Sequence, residues 1–190
     1  MRLLMIVAAT SLAAATAGCK ERPDSTELNA SNGLNEVGGV TQSAGEPAAA
    51  LGNADFANAI AGGGRFEIES ADLAATKATS ADLKSLAAMI AADHKKAGED
   101  LKAAANASSP PFTPLASLSP KQKSDLEALG ASGANFDRTY VTQQIAAHQE
   151  ATGILKNYAA GGSSPQLKEF ATKVLPTVQG HLDRLSAVQN

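Results

Sequence analysis

Four stretches of this chain repeat apolar residues every three or four positions, and each stripe carries one conspicuous polar side chain: Glu67, His94, His148 and His181. That spacing is the period of an α-helix with one buried face. The three histidines are all that the chain possesses, and each falls on a different stripe. A bundle of four helices turns all four residues toward one interior. No segment alternates β-branched or aromatic residues with period two, so the fold class read from the sequence is all-α.

The stripes define the elements. Phe56, Ile60, Gly63, Glu67, Ala71 and Ala74 predict a first helix over about 55–78, although Gly62-Gly63-Gly64 weakens it, since each glycine costs about 1 kcal/mol relative to Ala in a helix interior. The glycines mark either a break or a close approach by another segment. Ser80 predicts an N-cap, with Asp82 complementing the dipole of a second helix that reaches about Asn106 with stripe Leu83, Leu86, Ile90, His94, Ala97 and Leu101. Pro110, Pro111, Pro114 and Pro120 forbid its continuation. Ser119-Pro120-Lys121-Gln122 is a capping box that opens a short crossover helix ending near Gly130. A third long helix follows over about 135–160 (Val141, Ile145, His148, Thr152, Leu155), stopped by Gly161-Gly162. Ser164-Pro165 starts the last, striped with Leu167, Phe170, Val174, Val178, His181 and Leu185, and Pro176 is expected to kink it. Two tight hairpins joined by a long crossover describe a ferritin-like four-helix bundle.

Counting residues from each turn tests whether the polar positions meet. Glu67, His94 and His148 come out within about one helical turn of each other, whereas His181 lies about five residues off, roughly 7–8 Å of rise. An ionised carboxylate does not sit unpaired in a core, and imidazole is its natural companion. The same set, Glu67 with His94, His148 and His181, suits a single Zn, Fe, Cu or Ni ion. A di-iron centre is not expected, because the residues three before the histidines are Ala91, Ile145 and Val178, and no Glu-x-x-His exists. Asp93 and Glu150 lie off the stripes. A hydrogen-bonded network that fixes the register of the helices is the competing reading, and catalytic turnover is not predicted.

The N-terminus bounds location. Arg2, an apolar run over 3–15 and Thr16-Ala17-Gly18-Cys19 have the layout of a secretory signal. Ala-Gly-Cys resembles the bacterial lipobox, in which the cysteine is lipidated after cleavage; Thr16 departs from the Leu usual there. Cys19 is the only cysteine, so the exported part has no disulfide. Residues 1–18 are accordingly read as a lipoprotein signal peptide and 19–53 as lipidated cysteine plus a flexible tether rich in Ser, Gly, Asn and Ala. Residues 54–190 form one domain. By resemblance to sorted lipoproteins, Lys20 rather than Asp after the cysteine implies the periplasmic face of the outer membrane, if the cell has one. The partners are then the membrane, through the lipid, and a protein of the envelope. A net charge of −3 without a basic run excludes a nucleic-acid footprint.

Phe56 with Glu67, the Asp93-His94 pair, Phe136-Asp137 followed by Tyr140, and then His148 and His181 resemble the bacterial DUF4142 family over residues 54 to about 188. The resemblance implies a ferritin-like fold in an exported protein, and it supplies no substrate. It marks Glu67, His94, His148 and His181 as the positions to follow. Other motifs carry less. Gly62-Gly63-Gly64-Arg65 lacks the strand and the Lys-Ser/Thr of a phosphate loop. No serine sits where a catalytic triad needs one. Tyr140 and Tyr158 read as core-edge residues with wet hydroxyls, and Lys95, Lys96 and Lys102 as a solvated face. The loop from Pro110 to Pro114 either exposes Phe112 to a partner or caps the bundle.

Overall fold

The computed structural model describes residues 50–189. The expected signal peptide, Cys19 and the tether up to residue 49 lie outside the described residues. The elements are α1 (Asn53–Lys77), α2 (Ala81–Asn106), α3 (Pro120–Gly130), a single 3-10 turn (Gly133–Asn135), α4 (Phe136–Gly161) and α5 (Pro165–Gln189). Each expected helix is present, within a few residues of its expected ends. Among the described residues there is no strand, and no helix is long and apolar enough to cross a membrane.

The ends follow from capping. The Ser80 hydroxyl accepts from the Leu83 N–H at the head of α2. Ser119 and Gln122 form the reciprocal capping box, with Pro120 opening α3. Ser164 accepts from Leu167 N at the head of α5. α5 continues through Pro176, the position expected to kink it. Val174 and Val178 are buried on either side, and this apolar anchoring holds the helix where one backbone bond is lost.

α1 packs against α2 and α4, and α5 completes the ring against α2 and α4. Two contacts fix the directions. The Asp137 carboxylate, at the start of α4, accepts from Thr79 N and Ser80 N in the α1–α2 turn, at 2.9 and 3.0 Å. Tyr158, near the end of α4, donates its hydroxyl to Asn53 at the start of α1. α4 is therefore antiparallel to α1, and the crossover returns along the bundle with α3 laid on α1 and α4. This is the ferritin-like arrangement of two hairpins and one long connection.

The glycine triplet does not break α1. The crossover presses on it instead: a Cβ at Gly62 would stand 2.6 Å from the carbonyl oxygen of Ser117. Asn58 and Arg65 tie the same strap down through Leu115 N (2.7 Å) and Ala116 O (3.3 Å). Phe112 is half-buried and packs on the core, so the expectation of an exposed aromatic gives way to the capping alternative. Leu115 is the apolar residue the strap exposes, at 63%.

The apolar interior is in two parts. One holds Ala74, Leu83, Ile90, Phe136, Tyr140 and Leu185. The other holds Phe56, Leu101, Leu155, Tyr158, Leu167 and Phe170, with Phe56 stacked on Tyr158 at 3.8 Å between ring centres. Along every long helix the polar stripe residue falls between the two parts. Both tyrosines are buried rather than core-edge, which corrects the expectation of wet hydroxyls.

The strap contact has a measurable consequence. Gly62→Ala is expected to destabilise the domain by about 1–3 kcal/mol in urea unfolding, because backbone must shift. Gly153→Ala, in open space on α4, is expected to stabilise it by about 0.5–1 kcal/mol. Equal effects of the two would contradict the close approach.

Candidate metal centre

Glu67 comes from α1, His94 from α2, His148 from α4 and His181 from α5. All four meet in one layer between the two apolar clusters. The ring centres of the three imidazoles form a nearly equilateral triangle of 5.6, 5.6 and 5.4 Å. One nitrogen from each histidine lies within 4.8 Å of the others. His181, left apart by sequence counting, therefore joins the set. The helical ends explain why. Ten residues separate Glu67 from Lys77 and thirteen separate Ala81 from His94; thirteen separate His148 from Gly161 and sixteen separate Pro165 from His181. Both hairpins carry the same three-residue offset, about 4.5 Å of rise. The larger offset had counted turn residues 162–164 as helix.

Outer contacts fix which nitrogen carries hydrogen in the rings of His148 and His181. His148 Nδ1 lies 2.8 Å from the Gln144 carbonyl oxygen, which can only accept, so Nδ1 is the donor. The same N–H faces Glu67 Oε1 at 3.2 Å. His181 Nε2 donates to Asp93 Oδ2 at 2.9 Å. The remaining nitrogens, Nε2 of His148 and Nδ1 of His181, face each other at 3.4 Å. In neutral rings both are lone pairs, and two lone pairs repel. The arrangement becomes attractive only with a cation between them, either a proton or a metal ion. Two nitrogens about 2.0 Å from one ion at a tetrahedral angle stand about 3.3 Å apart, so the observed separation fits a ligand pair without rearrangement.

Glu67 Oε2 lies 2.6 Å from His94 Nε2. The two groups are in contact, but the ring nitrogen does not align as a hydrogen-bond donor. The contact is close without being directional, and it brings carboxylate and imidazole side by side at the centre. Burial alone would raise the carboxyl pKa of Glu67, but the surrounding histidines, His94 foremost, outweigh it and leave the group below its ordinary value. Desolvation pushes His148 and His181 below the ordinary 6.5, more than Glu67 and Asp93 pull them back. The favoured state is thus an ionised Glu67 beside neutral His148 and His181, the protonation state in which these groups bind a metal ion.

Asp93 was read from the sequence as lying off the stripe. It does, at 43% side-chain exposure, and it acts from outside as the hydrogen-bond partner of His181. A signal existed in the Asp93-His94 pair, but the carboxylate serves the histidine of another helix. The Gln144 carbonyl left no trace in side-chain spacing. Tyr140 lies nearby with its hydroxyl buried and making no hydrogen bond among the described residues; burial and the charge of Glu67 both raise its pKa. Glu150 stays at the surface.

The model of a family described as a domain of unknown function, DUF4142, matches residues 38–188. No curated protein matches the sequence. Among solved structures, CopM in a Cu(II)-bound form is similar with a TM-score of 0.63 and 21% identity, over 74% of this chain and 97% of that one. CopM in a Cu(I)-bound form gives 0.60 and 22%, over 72% and 94%. A DUF305 fragment from Deinococcus radiodurans gives 0.61 and 15%, also over 72% and 94%. These similarities establish a shared helical fold.

The histidine pKa values set a pH dependence. A buried base whose folded pKa lies below its unfolded value contributes stability above the unfolded value and loses it as pH falls. The metal-free domain is expected to weaken as pH drops through about 6.5 toward the lowered values of His148 and His181. Loss of Glu67 ionisation adds to the weakening below its ordinary 4.5. Urea unfolding between pH 7.5 and 5.5 checks this, and a flat profile would contradict buried neutral imidazoles.

Proposed function

The chain belongs to the DUF4142 family, and from that premise we propose that its helical domain binds one transition-metal ion through His94, His148, His181 and Glu67. The single observation that carries the reading is the pair of ring nitrogens, His148 Nε2 and His181 Nδ1, turned lone pair to lone pair at 3.4 Å. Their outer hydrogen bonds to the Gln144 carbonyl and to Asp93 hold them in that state. Donor groups behind the ligands are how proteins fix ligand tautomer and orientation. Three imidazoles and a carboxylate are borderline donors, matched to Cu(II), Zn, Fe or Ni. Copper is the ion to test first, because the similar structures of CopM are copper-bound forms. Nothing in the donor set calls for two metal ions, and the role proposed is binding rather than turnover.

The N-terminal sequence supports a location. With Cys19 lipidated, the domain hangs on a tether at the periplasmic face of the outer membrane. A protein so placed holds or buffers metal in the envelope. The competing role is a structural or interaction lipoprotein in which the same residues lock helix register without metal. It is favoured by the apolar clusters on either side of the layer, and it requires the proton, rather than a metal, to bridge the two histidines.

Metal content separates the two. The full chain carrying Cys19→Ala, purified without a histidine tag under copper- and zinc-replete conditions, is expected to hold close to one ion per chain. His94→Ala and His148→Ala are each expected to lose it while keeping a helical circular-dichroism spectrum. Asp93→Asn is expected to weaken affinity about 10- to 100-fold through His181. Substoichiometric metal that is indifferent to these substitutions would leave the structural lock standing.

A further inference from the structure

A cavity of about 420 Å³ opens beside the centre, between the glycine stretch of α1, the crossover strap with α3, and the faces of α4 and α5. Its wall includes Glu67 and His94 but neither His148 nor His181. Those two are buried behind it. The cavity therefore touches only the outward half of the ligand set.

The glycines keep it open. A Cβ at Gly63 would meet nothing within 4 Å, and one at Gly64 would meet only the His94 ring, at 3.7 Å. Alanine fits at both and would favour the helix by about 1 kcal/mol each. The backbone therefore has no need of glycine at Gly63, and the consequence of its having no side chain is room above Glu67 and His94. Room is needed for a hydrated ion: six waters at about 30 Å³ each occupy about 180 Å³, which the cavity exceeds. Charge points the same way. Glu67, Asp125 and Glu150 line the wall against one ammonium, Lys121, which is already paired with Asp125 at 2.5 Å. A concave, net-negative wall concentrates cations.

We infer that this cavity is the vestibule through which a hydrated transition-metal cation reaches the centre, with Glu67 and His94 as the capture pair. The ion meets these two first, sheds water, and passes inward to His148 and His181. Glu150 acts at a distance by raising the local cation concentration. The inference rests on the metal-binding reading above, and it assigns a separate, kinetic role to residues that are not ligands.

Stopped-flow uptake of Cu(II) by the full Cys19→Ala chain tests it. Gly63→Leu projects a side chain into the vestibule, and uptake is expected to slow at least about tenfold. The equilibrium affinity, set by the four ligands, stays within a few-fold. Glu150→Gln, on an exposed position that does not endanger folding, is expected to slow uptake about two- to fivefold at low ionic strength, the difference vanishing in high salt. Unchanged rates in both variants, with wild-type affinity that depends on His148, would overturn the vestibule while leaving the metal site intact. Uptake slowed instead by Asp93→Asn alone would place access at the α2–α5 seam and overturn it as well. A wild-type chain that takes up no metal defeats both readings together.

Discussion

A carboxylate and three imidazoles in one layer of an otherwise apolar bundle are the constraint around which the rest of this structure is arranged. Glu67 is 2% exposed, and an uncompensated buried charge would cost several kcal/mol. The compensation comes from His94 and His148 in contact distance, so α1, α2 and α4 have one register that satisfies it. α5 is bound to the same layer through His181 and Asp93. A slip of one helix by a turn would move its polar residue into one of the two apolar clusters. In the observed alignment all four polar residues share one layer and the apolar residues stay in the two clusters.

The two apolar clusters supply the buried apolar area on either side of the layer. Phe56, Tyr158 and Phe170 close one end, and Phe136 with Tyr140 the other. Asp137 joins the second end to the α1–α2 turn by accepting from Thr79 and Ser80, contacts that hold its carboxyl below the usual carboxylate range. The crossover runs along α1, where Gly62 admits its backbone. That same choice of small residues leaves the cavity above Glu67 and His94. The path of the crossover and the cavity thus both depend on the small residues of α1.

Much of this was legible in the sequence because it depends on period. The helices, the capping box at Ser119, the crossover and the assignment of one polar residue to each long helix all follow from spacing of three and four. What period does not contain was missed. The rotation of α2 that sends Asp93 across to His181 depends on packing between helices. The partner of His148 is a backbone carbonyl, that of Gln144, which no side-chain pattern reports. The depth of Tyr140 and Tyr158 likewise reflects how closely small residues let the helices approach. The offset of His181 was misjudged because turn residues were counted as helical rise.

Metal binding here depends on His148 Nε2 and His181 Nδ1 being lone pairs turned toward one cation. Long-range proton–nitrogen NMR of the histidine rings, with and without one equivalent of the diamagnetic ion Zn(II), tests it most directly. Hydrogen on His148 Nδ1 and His181 Nε2 is expected in the metal-free chain, with metal-induced shifts at the two bare nitrogens and at one ring nitrogen of His94. Reversed tautomers, or rings that remain doubly protonated at neutral pH and ignore the metal, would contradict it.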